Sequence, residues 1–136
     1  MLKEIRVILG IIIGIFFVNI GIKHFTDPSW FEPIVPAILG WPRFWVWASG
    51  VAEIMVGLML IIPQTQRFGG LACAILLVIL YWANLNMWIN DIAFNGQNYG
   101  HQWHILRLLI QGCVIGVCLF IWKYRVNEKD DFGTDE

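Results

Sequence analysis

Charged residues are scarce in this chain. Only 14% of its 136 residues are charged, whereas 58% are hydrophobic and the mean hydropathy is +0.66. Soluble domains contain about 25% charged residues, and a chain this short has too much surface to hide so large an apolar excess. The composition therefore argues against a soluble globule and favours a small integral membrane protein, with the lipid bilayer as its main partner.

An excess of positive charge is also missing. Nine Lys and Arg residues are balanced by ten Asp and Glu residues, so the net charge is -1. Binding to the phosphates of a nucleic acid requires clustered cations. We therefore expect no nucleic-acid partner.

Residues suited to redox or metal chemistry are few. The three cysteines, Cys73, Cys113 and Cys118, form no C-x-x-C pair, and the last two point about 140° apart around a helix. His101 and His104 are three residues apart, but two histidines in a loop at a membrane interface are weak evidence for a metal site. We expect small buried thiols, no metal and no intrinsic cofactor.

Four apolar stretches are long enough to cross a bilayer. About 17 to 25 apolar residues span its hydrocarbon core as a helix, whereas membrane strands are about 10 residues long and alternate polar with apolar side chains. The first stretch is too long for the core of a secretory signal and lacks a small-x-small cleavage site, so we expect it to be retained. The sequence thus predicts an all-α membrane protein with four transmembrane helices at about 5–23, 44–62, 68–90 and 104–123.

These helices predict a single membrane domain over 1–124 and an acidic, flexible cytoplasmic tail over 125–136. The short connections favour an up-down antiparallel bundle. The side that carries both termini and the loop after the second helix holds six of the nine Lys and Arg residues: Lys3, Arg6, Arg67, Lys123, Arg125 and Lys129. Because cytoplasmic loops are enriched in Lys and Arg, we expect both termini to be cytoplasmic.

The loop between the first two helices combines prolines with apolar side chains. Over 27–36 it contains Pro28, Pro33 and Pro36, which bar a long regular helix, and Trp30 and Phe31, which are too apolar for water. We expect an interfacial cap over the mouth of the bundle. A gate for a pocket and a simple seal over the helix ends remain equally open.

Glu53 is the most unusual polar residue of the predicted helices. It lies nine residues after Phe44, about 13 Å below the outer end of the second helix and close to the midplane. A carboxylate at that depth is costly unless it is neutral or paired. Arg107, near the outer start of the fourth helix, is the expected partner, and Lys23 and His24 on the first helix are rivals.

The other two helices also place polar side chains in the outer half of the bundle. Asn19 lies on the first and Asn84 on the third, with His24, His101 and His104 at the mouth. Together with Glu53 and Arg107 they predict one polar pocket that opens outward. Three roles stay open for these residues, namely an ion pair that only fixes helix packing, a ligand or cofactor site, and a path for ions or protons. No catalytic residue is predicted.

Glycine pairs with G-x-x-x-G spacing occur on the first helix, at Gly10 and Gly14, and on the fourth, at Gly112 and Gly116. Such pairs let helices approach closely. They are compatible with contacts inside the chain and with a homo-oligomer.

Several of these residues resemble the DoxX-like family of small bacterial membrane proteins. The resemblance covers most of the chain and rests on the order and spacing of short segments: Gly21-Ile-Lys-His-Phe25, Phe31-Glu-Pro-Ile-Val-Pro36, Ser49-Gly-Val-Ala-Glu-Ile-Met-Val-Gly57, Leu60-Ile-Ile-Pro63 with Arg67, Ala83-Asn84 with Met87, and His104-Ile-Leu-Arg-Leu-Leu-Ile-Gln111. Glu53 and Arg107 fall on positions that recur in that family, whereas Leu109 stands where its members usually have proline.

The resemblance implies a four-helix fold in a bacterial inner (cytoplasmic) membrane. The family takes its name from a subunit linked to thiosulfate:quinone oxidoreduction, and many members have no assigned reaction. The leading expectation is a non-enzymatic accessory protein that binds a quinone or a lipid-like molecule in the outer-half pocket. The alternatives are a quinone-interacting subunit that works with a redox partner protein, and a scaffold or assembly factor without a ligand.

Overall fold

The computed structural model describes residues 1–124, and over these residues the chain forms helices and no strand. The tail predicted over 125–136 lies outside the described residues. Four helices are long and apolar enough to cross a membrane, as the sequence predicted, so the chain is an all-α protein of the multi-pass membrane type. They are α1 (Leu2–Thr26), α3 (Pro42–Ile61), α4 (Gln66–Ile89) and α5 (His101–Lys123). A one-turn helix α2 (Pro28–Phe31) and two 3-10 turns, Glu32–Ile34 and Ala37–Leu39, lie between α1 and α3.

Proline and glycine fix the start of α3. Pro42 occupies its first turn, where its missing N–H costs no hydrogen bond and its fixed φ suits a helix. The two residues before it have left-handed backbone, with φ of 60° at Gly40 and 42° at Trp41. Such φ values cost glycine little, so the chain turns sharply from the preceding loop into the membrane helix.

The α1 and α3 helices pack closely through facing glycines. A Cβ atom on Gly14 would lie 2.6 Å from the carbonyl oxygen of Gly57, and one on Gly21 would lie 2.8 Å from that of Gly50. These contacts leave no room for a methyl group on either helix. The α1–α3 pair is the most extensive helix contact of the structure, ahead of the α4–α5 pair.

The α4 helix contacts its neighbours through two consecutive glycines. Gly69 faces the backbone of Met59 and Leu60 on α3, and Gly70 faces the carbonyl oxygen of Cys118 on α5. By contrast, Gly112 and Gly116 have open space around them within the described chain. Of the two predicted glycine pairs, the one on α1 is therefore used inside the chain and the one on α5 is not.

The buried core joins all four long helices. It consists of Phe17, Val56, Leu60, Cys73, Ala74, Cys118 and Ile121. Two of the cysteines are part of it, in agreement with the sequence prediction of small buried residues, but Cys113 is exposed. Cys113 differs because it lies on the open side of α5, next to Gly112.

The connection between α1 and α3 is broken into short turns, as its prolines predicted, and it is tied to three helices. Arg43 at the start of α3 pairs with Glu32. Asn86 on α4 donates a hydrogen bond from its Nδ2 to the carbonyl oxygen of Ile34, over 3.0 Å. The ring of Phe31 stacks on His24 of α1. We call residues 28–39 the cap segment.

Candidate functional site

A histidine and a carboxylate meet where α1 and α3 are in contact. His24 Nδ1 lies 3.2 Å from Glu53 Oε2, and the two side chains are only 8% and 6% exposed. The approach depends on glycine, because a Cβ on Gly50 would lie 2.7 Å from the Cβ of His24. We call these two side chains the His24–Glu53 pair.

The hydrogen bonds of this pair are incomplete. His24 Nδ1 donates to the carbonyl oxygen of Ile20 over 2.9 Å, which fixes the proton on that nitrogen. Glu53 Oε2 is fully buried and has no hydrogen-bond donor within residues 1–124. Since a buried polar atom normally has a partner, this oxygen is a candidate acceptor for a proton or a ligand hydroxyl.

The cap segment covers the pair from above. Phe31 stacks on the His24 ring with centroids 3.8 Å apart and an interplanar angle of 23°. Phe94, from the loop between α4 and α5, meets Phe31 edge-on at 5.2 Å. The two loops of this end therefore meet at Phe31, which lies on the His24 ring.

The pairing that the sequence favoured, Glu53 with Arg107, is not formed. Within the described residues the Arg107 guanidinium has no carboxylate partner. Its Nη1 donates to the Sδ atom of Met87 over 3.7 Å, and its Cζ lies 5.7 Å from the centre of the Tyr99 ring. The reason is helix order: Glu53 lies on α3, which packs most closely on α1, whereas Arg107 lies on α5, which packs on α4. His24, one of the two predicted rivals, occupies the place instead.

Arg107 borders a shallow, open depression on the outside of α5. Its volume is about 200 Å³, and it is lined by Tyr99, Trp103, Leu106, Arg107 and Ile110. Leu106 and Ile110 lie three and seven residues after Trp103, so the three side chains share one face of α5 and the depression runs along the helix. We call it the Arg107 groove. It combines one cation with aromatic and aliphatic walls.

The remaining predicted residues lie on different helices, the two histidines on α5 and Asn19 and Lys23 on α1. His104 is buried and its ring lies parallel to Trp88 at 5.5 Å, while Trp88 Nε1 donates to His101 Nδ1 over 2.8 Å. Asn19 and Lys23 are exposed on α1, and the Lys23 ammonium lies 5.9 Å from the ring centre of Trp30.

Asn84 belongs to a polar link that the sequence analysis did not foresee. Its Nδ2 donates to Gln111 Oε1 over 3.2 Å, and Gln111 Nε2 donates to the carbonyl oxygen of Leu77 over 2.7 Å. Gln111 was overlooked although it lies one helical turn after Arg107, a spacing that brings polar residues to the same face. The link joins α4 to α5.

The predicted polar residues thus form separate groups. The His24–Glu53 pair joins α1 to α3, the Asn84–Gln111 link joins α4 to α5, and Arg107 lies beside its groove. Within residues 1–124 no three His, Cys, Asp or Glu side chains come together as metal ligands would.

Residues 13–125 match a protein family described as Domain of unknown function (DUF8561). The chain belongs to this family. The matched range includes His24, Glu53 and Arg107, so both the buried pair and the groove lie within the DUF8561 domain. No curated protein and no solved structure matches the chain. The DUF8561 description names no activity, so the DoxX-like resemblance and the functions that it implies stay predictions.

Proposed function

We propose that this protein is a membrane accessory protein that binds a quinone or another lipid-like amphiphile in the Arg107 groove. The observation that carries the proposal is the setting of Arg107: a cation on a membrane-spanning helix, beside Tyr99 and Trp103, with no acidic partner within residues 1–124. A cation inside the membrane is costly without a polar partner. An electron-rich head group supplied by a ligand fills that role.

The shape of the groove matches the head of an amphiphile. Its volume of about 200 Å³ is below that of pockets that enclose drug-sized molecules. It therefore holds a head group, while an apolar tail follows the exposed face of α5 past Leu106 and Ile110. Arg107 donates hydrogen bonds to quinone carbonyl or phosphate oxygens, and the ring of Trp103 packs against the head group.

This proposal assumes the bundle and orientation that the sequence predicts. Contacts of Gly14 with Gly57 and of Gly21 with Gly50 run in opposite directions along the two helices and support an antiparallel α1–α3 pair. The distribution of Lys and Arg supports cytoplasmic termini in a bacterial inner membrane. In that arrangement the Arg107 groove lies in the outer half of an up-down bundle.

Native mass spectrometry of the full-length protein, purified from membranes with quinone and lipid present, tests the proposal. The wild-type protein should retain an amphiphile, and Arg107→Leu should reduce its occupancy about tenfold, the effect of about 1.4 kcal/mol. Arg43→Leu is the matched control, because Arg43 lies at the same end of the bundle but pairs with Glu32. If the wild type and Arg107→Leu retain the amphiphile equally, it does not bind in the Arg107 groove.

The same experiment separates the accessory protein from a subunit of a quinone-linked oxidoreductase. A protein that carries a redox cofactor and co-purifies with the quinone-loaded chain would assign the second role. Quinone on the isolated chain, with no such partner, supports the first.

A scaffold without a ligand is the second candidate. The His24–Glu53 pair favours it, because this contact is closed inside the chain and ties α1 to α3. A scaffold retains no amphiphile, and its Glu53→Gln variant loses stability while Arg107→Leu keeps both its stability and its partners. Amphiphile retention by the wild type therefore decides between the two roles, and thermal unfolding of both variants in detergent tests the structural part of the scaffold role.

A further inference from the structure

A second arginine is buried at the opposite end of the bundle. Arg6 lies in the second turn of α1 and is only 9% exposed. Its Nε atom is fully buried and has no hydrogen-bond acceptor within residues 1–124. The guanidinium Cζ lies 5.7 Å from the centre of the ring of Tyr124, the residue that follows α5. A buried guanidinium needs an anion or several acceptors, and within residues 1–124 the contact of this one is with an aromatic face.

A second guanidinium lies at the same end of the bundle. Arg67, at the start of α4, donates from Nε to the carbonyl oxygen of Trp122 over 3.1 Å. Two guanidinium groups thus flank the last turn of α5, one through Trp122 and one through Tyr124. The described acid nearest in sequence, Glu4, is 79% exposed and pairs with the amino group of Met1 at 3.6 Å.

Another unsatisfied atom lies against the same part of α1. Gln66 is completely buried, and its Nε2 donates to the carbonyl oxygen of Val7, the residue after Arg6, over 3.1 Å. Its Oε1 has no hydrogen-bond donor within the described chain. A donor atom of Arg6 and an acceptor atom of Gln66 are therefore both without partners among the described residues at this end of α1.

The depth of Arg6 identifies the anion. It lies four residues after the start of α1, about 6 Å along the axis from the helix end. That is the level of the lipid head groups for a helix that crosses the bilayer. Phosphate is the anion present there in every phospholipid, and the arginine fork matches its oxygens. An aromatic ring such as that of Tyr124 is typical of this interface.

We propose that Arg6, with Tyr124 beside it and Arg67 at the same end of the bundle, forms a binding site for the phosphate group of an anionic phospholipid at the end where α1 begins and α5 ends. The site is distinct from the Arg107 groove, which lies at the other end of α5. It ties α1, α4 and α5 to one lipid head group.

The test compares lipids on the full-length protein in a nonionic detergent. Dioleoylphosphatidylglycerol or dioleoylphosphatidylcholine is added, and retained lipid is measured by native mass spectrometry together with the thermal midpoint. Each Lys or Arg near an anionic lipid surface contributes about a fivefold preference. We expect the wild type to prefer phosphatidylglycerol at least about fivefold, and Arg6→Gln to lose that preference.

Two controls make the result specific. Lys123→Gln removes an exposed cation at the same end, and Arg43→Gln removes one at the opposite end. Both should keep the preference. If Lys123→Gln lowers it as much as Arg6→Gln, a diffuse positive surface explains the binding and the built site is wrong. Arg6→Lys keeps the charge without the fork, so it should bind phosphatidylglycerol less well than the wild type, and it replaces Arg6→Gln in the comparison if that variant fails to fold.

Further arms distinguish the source of the anion. Stabilisation by inorganic phosphate equal to that by phosphatidylglycerol would assign the site to a soluble phosphate. The preference for phosphatidylglycerol could instead appear only in a variant that combines Glu128→Gln, Asp130→Asn and Asp131→Asn. That result would mean that carboxylates of this chain fill the site, and it would overturn the lipid proposal. A wild type without any preference in either background overturns it as well.

Discussion

His24 Nδ1 lies 3.2 Å from Glu53 Oε2, so the only described carboxylate near the middle of a membrane-spanning helix has its neighbour on the adjacent helix α1. The two side chains are almost completely buried. Removing the partner of a buried polar group costs about 1 to 3 kcal/mol. The pair therefore makes a quantitative prediction about stability.

His24→Leu should lower the free energy of unfolding by about 1 to 3 kcal/mol, because it removes the polar neighbour of the buried Glu53 carboxyl group in the α1–α3 contact. The double variant His24→Leu with Glu53→Met should return to within about 1 kcal/mol of the wild type, since two apolar side chains of similar size replace the pair. Denaturation of detergent-solubilised protein, followed by circular dichroism, measures both. Arg43→Gln, which breaks the more exposed pair with Glu32, should cost less than about 1 kcal/mol. A similar small cost for His24→Leu would contradict a structural role for the buried pair.

Gly57→Ala should destabilise the bundle by about 1 to 3 kcal/mol, because the added methyl group overpacks the contact between α1 and α3. The new Cβ would lie 2.7 Å from the carbonyl oxygen of Gly14, a backbone atom that cannot rotate away. Gly112→Ala is the matched control, because its Cβ meets nothing within 4 Å inside the described chain. Unfolding of the two variants under identical conditions gives the difference. A large loss for Gly112→Ala would instead point to a contact outside the chain, such as a homo-oligomer, and size-exclusion chromatography with light scattering would then reveal the change in mass.

The sequence predicted the helices better than it predicted their neighbours. Long runs without charge identify four membrane-spanning helices, because burying a charge in lipid is costly whatever the fold. Depth along a helix follows in the same way, so Glu53 was expected to be deep and in need of a partner, and its side chain is buried near the middle of α3. The choice between Arg107 and His24 depended on which helices touch, and both residues had a suitable depth. Which helices touch is a matter of tertiary packing. Glycines such as Gly50 allow the close contact between α1 and α3, but their spacing in the sequence does not say which helix they face.

Buried polar residues at the ends of helices were the other omission. Gln66 follows Pro63 and reads as part of a polar turn, yet it is completely buried and hydrogen-bonds α1. Arg6 reads as a cation that sets topology, yet it is 9% exposed. Composition alone does not reveal these positions, because the same residues at a frayed helix end would face water.

Gln66→Leu should lower the free energy of unfolding by about 0.5 to 1.5 kcal/mol, the net contribution of one hydrogen bond, because it removes the donor that now lies 3.1 Å from the carbonyl oxygen of Val7. Leucine keeps the side chain's approximate size, so the change tests the hydrogen bond more than the packing. Gln64→Leu is the control: Gln64 lies two residues earlier and is exposed in the turn between α3 and α4. Its substitution should change stability by less than about 0.5 kcal/mol. Equal effects of the two variants would contradict the role of Gln66 as a link between α4 and α1.

A cysteine at Asn98 should react with a membrane-impermeant maleimide on intact cells, whereas one at Gln64 should react only after the membrane is opened. Asn98 lies in the loop between α4 and α5 and Gln64 in the turn between α3 and α4, and both are exposed. Asn98 is preferable to Asn95, whose φ of 51° is unfavourable for cysteine. The parent protein carries Cys113→Ala, because Cys113 is the exposed native thiol, and it should remain unlabelled on intact cells. The opposite pattern would invert the proposed orientation: the Arg107 groove would then face the cytoplasm, and Arg6 would meet the head groups of the outer leaflet.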